Sequence, residues 1–425
     1  MKVIVLGAGI IGVTSAYFLA RQGHEVVVLD RASACAAMCS KANGGQLSYS
    51  HVETWAQSIS GGKILSLLLK PNSFLSFSDF TNKRFYSWFY QFYQNSSLFK
   101  SHENSKNLFA ISSYSKKALH QIIADEDLAN FHHKKEGILH FYRSQKALQK
   151  AVANLEEHKN LGIKFEVLNA ANCVKKEPTL FKLNEVQKLA GGIFYPQDES
   201  GDCALFAKAL EKICREKYKV KFEYGVEVKN ILTNRKKITG INTSKEVFAG
   251  DSYVYALGAA GVSLLYGIEI DPKIYPIKGY SLSSDCSGEF MAPKLALTDV
   301  ENKIVYSRIG NIFRAAGSAE ICGLQNKENP KHFSFLKNVI TSSFSDFGDM
   351  LRAGGWFGFR PFRPNSTPLI CEAKKYGNLF LNSGHGSLGW TLSCGSAKIL
   401  SEIVEQKNNP EFSFLRKEEE KIYIK

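Results

Sequence analysis

"KVIVLGAGIIGVTSAYFLARQGHEVVVLD" (2–30) contains an uncharged run, 3–20, that a hydropathy scan takes for a signal peptide or a short membrane span. Its glycines decide otherwise. "KVIVL" (2–6) is a β-branched run bounded by Gly7, the composition of a buried strand. "IIGVTSAYFLARQ" (10–22) has helical spacing and is stopped by Gly23, and "EVVVL" (25–29) is a second buried strand. Together they predict a βαβ unit. In it Gly7 makes the tight turn, Gly9 lets backbone approach a pyrophosphate, and Gly12 allows close helix-to-strand packing. The phosphates rest on the helix N-terminus, where unpaired N–H groups and the dipole favour negative charge. Asp30 ends the second strand, where a carboxylate accepts hydrogen bonds from a ribose diol and repels a 2′-phosphate. Strand, glycines, helix, strand and acid in register form a dinucleotide fingerprint that does not separate NAD from FAD.

Composition narrows the rest. A chain of 425 residues holds two domains or one large interleaved unit, and 44% hydrophobic with 22% charged residues excludes disorder as the default. The balance of 54 Lys+Arg against 40 Asp+Glu, net +14, favours anionic partners. The basic residues are dispersed, the densest groups being "HHKK" (132–135) and "RKK" (235–237), so no nucleic acid is expected. Nine cysteines from Cys35 to Cys394, without a C-x-x-C pair or zinc-like spacing, point to a reducing compartment with thiols as small core residues. Cys35 and Cys39 fall one helical turn apart, yet no further ligand stands near them in sequence, and no metal is expected.

A second glycine turn lies near the other end. "NLFLNSGHGSLGWTLSCGSAKILSEIVE" (378–405) reads as a strand, a turn and a helix whose inner side carries Leu388, Thr391, Leu392, Gly395 and Ile399. No acid follows a second strand, so this is not another dinucleotide fingerprint. The N–H groups of Gly386 to Gly389 suit a phosphate or an electron-rich edge, and a reduced flavin carries negative charge near N1 and the C2 oxygen.

These motifs, with "SKANGGQLS" (40–48), "PQDESGDCALF" (196–206), "YPIKGYSL" (275–282), "GFRPFRPNSTPL" (358–369) and "GHGSLGWTLSCGS" (384–396), resemble the D-amino acid dehydrogenase (small subunit) branch of the FAD-dependent D-amino acid oxidase/glycine oxidase-like oxidoreductases. The resemblance spans nearly the whole chain. It implies one FAD stretched between both turns, diphosphate at the first and isoalloxazine at the second. The implied fold is α/β: a Rossmann-like FAD-binding domain (1–46, 143–267 and 356–425) interleaved with an α+β substrate domain on an antiparallel sheet (47–142 and 268–355). "KIVYSRIGNIFRAAG" (303–317) reads as a hairpin within that sheet.

Position by position, the resemblance assigns Gly7, Gly9, Ile10, Ile11 and Gly12 to the diphosphate and Asp30 with Arg31 to the adenosine side. Ser40, Asn43, Gly44, Gly45 and Gln46 form the loop beneath pyrophosphate and flavin. Val228 holds the adenine through its backbone, and Gly258 ends a strand near the diphosphate. Gly384, Gly386, Ser387, Leu388, Gly389 and Thr391 surround the flavin ring.

An amino acid presents a carboxylate, and the planar guanidinium fork matches it with two parallel charge-assisted bonds. Arg360 in "GFRP" stands where the resemblance puts that arginine, against the flavin. Arg363 is the nearby decoy, and Arg308 and Arg314 are less favoured. Tyr280 is either a hydroxyl reaching the same carboxylate or a half-buried sheet tyrosine. Tyr49 and His51 stand where relatives place active-site side chains. His385 reads as a positioning or electrostatic residue and not a base. The implied chemistry moves the α-hydrogen of a D-amino acid, D-alanine or D-proline for example, as hydride to flavin N5, and the imine hydrolyses to a 2-oxo acid and ammonia. The implied acceptor is a quinone or another respiratory carrier, and the implied location is cytoplasmic, peripheral on the cytoplasmic face of the inner membrane. Three competing readings remain: an oxygen-using glycine or sarcosine-type oxidase, a tRNA-modifying flavoprotein, and a non-catalytic flavin-bearing subunit.

"FLSFSDFTNKRFYSWFYQFYQNSSLF" (74–99) carries two aromatic stripes, Phe85, Trp88, Phe89 and Phe92 on one and Tyr86, Tyr90 and Tyr93 on the other. Such a helix is buried on both sides, or buried on one and turned to a membrane or quinone on the other.

Overall fold

The computed structural model describes residues 1–50, 54–55, 74–79, 81–286, 292–344, 353–407, 409–420 and 422–423. Its first sheet grows from the amino-terminal βαβ unit. Lys2–Leu6 and Glu25–Asp30 pair in parallel, Val3 opposite Val26, with Ile10–Arg21 crossing between them. The full strand order is Leu369–Glu372, Leu379–Ser383, Ser252–Tyr255, Lys2–Leu6, Glu25–Asp30 and Lys221–Tyr224, parallel except for the first edge strand.

Both faces of this sheet are covered, which is why its strands are unbroken β-branched runs. Val3, Val5, Val26 and Val28 pack under the helices through Val13, Leu19, Phe206, Leu392 and Leu400. Ile4, Leu6, Val27 and Leu29 face the other way, onto Ile231, Ile238 and Ile241 of a three-stranded sheet, Val228–Asn234, Lys237–Thr243 and Val247–Phe248.

The second sheet has nine strands and is mostly antiparallel: Gly354–Phe362, Tyr275–Asp285, Ile312–Ile321, Ile304–Ile309, Ala296–Asp299, Ile138–Tyr142, Gly191–Tyr195 and Glu166–Asn169, with Leu75–Phe77 added alongside Ile312–Ile321. The expected hairpin is present, Ile309 opposite Ile312, with Gly310 at φ +59 in its turn. Two stretches expected with the flavin-binding part belong here instead. Glu166–Asn169 and Gly191–Tyr195, within 143–267, pair in this sheet, and so does Gly354–Phe362, which straddles the border expected at 356. Their runs are short and alternate too little to announce which sheet receives them.

The aromatic stretch divides its two stripes. In the helix Lys83–Gln94, capped by Asn82, Phe85, Trp88 and Phe92 are buried against Tyr275, Ile277 and Phe362, and Trp88 Nε1 donates to the Phe362 carbonyl at 2.9 Å. Tyr86, Tyr90 and Tyr93 are exposed. Among the described residues no helix is long and apolar enough to cross a membrane.

Candidate active site

Strands that run parallel release their following turns at one edge, and both glycine turns open there. The helices they start, Ile10–Arg21 and Gly389–Val404, lie side by side: Thr14 Oγ1 donates to the Ser393 carbonyl at 3.3 Å, and Gln22 Nε2 to Ser401 Oγ at 3.0 Å. Both bonds join positions separated by the same distance along the chain, so the helices run in the same direction and in register, with their N-termini together. Neither is capped by the side chain of its own N-cap residue, and neither has an acid in its first turn. The neighbouring helix Cys203–Glu216, by contrast, is capped by Asp202 through the N–H groups of Ala204 and Leu205. Apart from Ile10 N, which Ser40 Oγ takes, the N–H groups at these paired positive helix ends make a receptor for an elongated anion.

The glycines are needed for different reasons. Gly7 sits at φ +103 and a Cβ there would stand 2.8 Å from the Ala256 carbonyl oxygen; one on Gly12 would stand 1.8 Å from the Gly7 carbonyl oxygen. A Cβ on Gly9 meets nothing closer than Ser40 Oγ at 3.6 Å. Gly9 is therefore not required by the protein's own packing, and its bareness keeps the cradle open to a ligand. Ser40 Oγ accepts from Ile10 N at 3.0 Å, which brings its loop to the mouth of the first turn. Asp30 accepts from Ala8 N at 2.6 Å and from Ala32 N at 2.8 Å, leaving lone pairs on the carboxylate for a diol.

The loop after Ser40 crosses to the second sheet. The Gly44 carbonyl accepts from Ser307 Oγ at 2.7 Å, the Asn43 carbonyl from Arg314 Nη1 at 3.3 Å, and Asn43 Oδ1 from Gly45 N at 3.0 Å. Gln46 spends its amide there too, donating to the Leu297 carbonyl and accepting from Thr298 Oγ1. Thr391, in the first turn of the second helix, accepts from Ser48 N at 3.2 Å.

Over this edge stands Arg360. It lies in Gly354–Phe362 opposite Ile277, and its guanidinium lies flat across Gly279: a Cβ at that glycine would be 2.3 Å from Arg360 Cζ. Its Nη1 donates to the Ser318 carbonyl at 3.0 Å. Among the described residues no carboxylate pairs with it. Burial pushes its pKa below the ordinary arginine value, the Cys39 thiol nearby pulling weakly the other way. Cys39 itself, a thiol driven up to about 11 by burial, donates to the Phe359 carbonyl at 2.7 Å and so ties the flavin loop to the arginine's strand. Arg363 and Arg314 are engaged elsewhere, and Arg308 Nε reaches the Gly310 carbonyl at 3.4 Å. Arg363 pairs with Glu418 at 2.8 Å and with the carbonyls of Pro272 and Thr367; Arg314 lies 3.9 Å from Asp202. A guanidinium partly withdrawn from water, with no carboxylate beside it, suits an anion.

Residues 2–403 match the family described as FAD dependent oxidoreductase. The chain belongs to this FAD-dependent oxidoreductase family. It is 34% identical over 410 residues to a D-amino acid dehydrogenase of Vibrio cholerae serotype O1, covering 96% of each chain, and 38% identical over 404 residues to one of Azorhizobium caulinodans, covering 95% of this chain and 96% of that one. Among solved structures, glycine oxidase from Bacillus cereus superposes with a TM-score of 0.73 at 18% identity, covering 96% of this chain and 99% of that one.

For an FAD-dependent oxidoreductase the cradle fits: the two paired helix ends, the bare Gly9 and the Asp30 carboxylate together suit a dinucleotide whose ring lies at the second turn. Val228 opens the three-stranded sheet and Gly258, at φ +59, faces the ring of Pro361. Arg31 is exposed. Gly384 and Gly386 both adopt positive φ, and Ser387 and Leu388 complete the single turn Gly386–Leu388 before Gly389.

The other expected side chains divide. His385 is buried, with Nε2 3.0 Å from Ser396 Oγ, and burial lowers its pKa to about 3, which favours the neutral imidazole. Tyr280 is the main correction. Pairing of Gly354–Phe362 with Tyr275–Asp285 is continuous, so Arg360, Ile277 and Gly279 share one face while Lys278 and Tyr280 occupy the other. The Tyr280 hydroxyl donates to Glu320, and its ring stacks on His332 at 4.6 Å. It is the buried sheet tyrosine and not a partner of Arg360. Tyr49 is buried in the core on the helix side, its ring 5.4 Å from Lys116 Nζ. His51 lies outside the described residues. Sequence reasoning missed Gly279, Ser318 and Cys39. Only Gly279 left a signal, a glycine inside a strand, which marks close approach of another group.

Proposed function

We propose that this enzyme oxidatively deaminates D-amino acids, small neutral ones such as D-alanine or D-proline, to 2-oxo acids and ammonia or the cyclic imine, with a quinone or other respiratory carrier as final acceptor. The observation that carries this reading is Arg360, a half-buried guanidinium that no carboxylate among the described residues pairs with, beside the second glycine turn. Arg360 binds the substrate carboxylate and fixes its direction, while the Ser318 carbonyl and the bare Gly279 hold the fork in place. Bound FAD supplies the acceptor for the two electrons and the α-hydrogen. Ile277 and Trp356 share Arg360's face of the sheet, apolar surroundings suited to a small side chain. The named activities of the Vibrio and Azorhizobium relatives support the D-amino acid assignment. The exposed Tyr86, Tyr90 and Tyr93, with exposed Lys83 and Arg84 at the start of their helix, support peripheral contact with an anionic membrane face.

The test is anaerobic bleaching of the flavin spectrum by each D- and L-amino acid, followed by turnover with a soluble quinone and with oxygen alone. Bleaching by D-forms and quinone-dependent turnover are expected. Bleaching by L-forms alone overturns the handedness, and full turnover on oxygen without quinone overturns the acceptor.

A further inference from the structure

Away from Arg360, three nitrogen donors converge on one carboxylate. Glu199 is 2% exposed. His120 Nε2 lies 2.8 Å from its Oε1 and 3.0 Å from its Oε2, and His133 Nε2 lies 2.7 Å from Oε2. Lys116 Nζ stands 3.5 Å from Oε1 while donating to the Gln197 carbonyl at 2.6 Å. Each group is fixed by a different part of the fold. His120 belongs to the long helix Leu98–Asp125, His133 stacks on Phe131 at 5.0 Å, and Glu199 is held in a two-residue ladder opposite Leu47. The deamination chemistry uses none of them.

We propose that His120, His133 and Glu199 bind one divalent ion of the zinc class. Two imidazoles and a carboxylate are the donor set of borderline cations, whereas magnesium and calcium demand oxygen throughout. The ligand atoms all lie within 4.8 Å of one another. Bonds of about 2.0–2.1 Å in a tetrahedron place ligand atoms roughly 3.3 Å apart. Room for the ion comes from parting the carboxylate oxygen from the imidazole nitrogens by a few tenths of an ångström and setting the two nitrogens, now within 4.8 Å, at that same spacing. The His120 side chain is 33% exposed, which gives an entry path and a fourth position for water. Because Glu199–Ser200 pairs with Gln46–Leu47, an ion here pins the long helix to the end of the flavin loop. Sequence spacing gave no sign of the site, since its ligands come from three separate segments.

The experiment uses chelator-treated, flavin-loaded enzyme titrated with Co²⁺ and then Zn²⁺, followed by calorimetry and by absorption at wavelengths beyond the flavin bands. One equivalent of Co²⁺ with the visible bands of a four-coordinate ion, displaced by Zn²⁺, is expected. His120→Asn, His133→Gln and Glu199→Gln should each weaken binding about ten-fold or more, and Cys39→Ser should not. His120 is partly exposed, so His120→Asn carries the test if Glu199→Gln fails to fold. Absence of Co²⁺ and Zn²⁺ binding at millimolar metal, or binding undiminished in His120→Asn, overturns the proposal.

Discussion

Gly279→Ala is the sharpest perturbation of the site, because it reaches Arg360 without touching it chemically. The added Cβ would lie 2.3 Å from both Cζ and Nη2 of Arg360 and 2.7 Å from Nε. Ordinary contact begins near 3.4 Å, so the guanidinium must retreat by about 1 Å, beyond comfortable reach of the Ser318 carbonyl now at 3.0 Å. A displacement of that size costs on the order of 10²-fold in kcat/KM, or about 2.7 kcal/mol of transition-state stabilisation. The group that yields is the end of a flexible side chain, so fold and flavin content should be unchanged. Rapid-mixing measurement of anaerobic flavin reduction by D-alanine, over a concentration series, reports both parameters: KM should rise and the limiting rate should fall. A Gly279→Ala enzyme with flavin fully bound and kcat/KM within three-fold of the parent would show that the fork need not lie where the strand now holds it.

The first turn separates packing from ligand binding. Gly12→Ala places a Cβ 1.8 Å from a backbone oxygen and should yield poorly folded, colourless protein, whereas Gly9→Ala should fold normally and lose flavin on dialysis, read as the ratio of flavin to protein absorbance. Tyr280→Phe should lower stability by about 1–2 kcal/mol, since Glu320 keeps Lys278 and Asn329 as partners, and should leave kcat/KM within two-fold; a large kinetic loss would return Tyr280 to the substrate. His385 titrates near 3 in the fold and about 6.5 when unfolded, so the unfolded chain binds its proton first and stability falls as pH drops below about 6.5. Between pH 6.5 and 5 this group accounts for roughly 2 kcal/mol, and chemical denaturation of His385→Gln should show a correspondingly shallower loss than the parent.

Both glycine turns were legible because their signals are local: β-branched run, glycines, helical spacing and Asp30 all fall within 2–30, and the second turn within 378–405. Arg360 was singled out through its motif, and the fold sets it across Gly279 with no carboxylate partner among the described residues. Tyr280 was not, since which face of a strand meets the ligand depends on pairing with a strand some eighty residues away, and a shift of one position reverses it. The same holds for Glu166–Asn169 and Gly191–Tyr195, whose sheet is chosen by distant partners. The aromatic helix showed its two stripes in sequence, but only the surfaces of Tyr275, Ile277 and Phe362 could say which one turns inward.

The in-register pairing of Ile10–Arg21 with Gly389–Val404 also sets an order of events during synthesis. The first helix is synthesised well ahead of its neighbour, Thr14 and the Ser393 it bonds being 379 residues apart, and Ser252–Tyr255 must already stand between their strands. A flavin therefore has no complete seat on a nascent chain. Products ending before about residue 404 should be made without colour, and loading of the cofactor waits for the second helix, in competition with whatever captures an unfinished sheet edge.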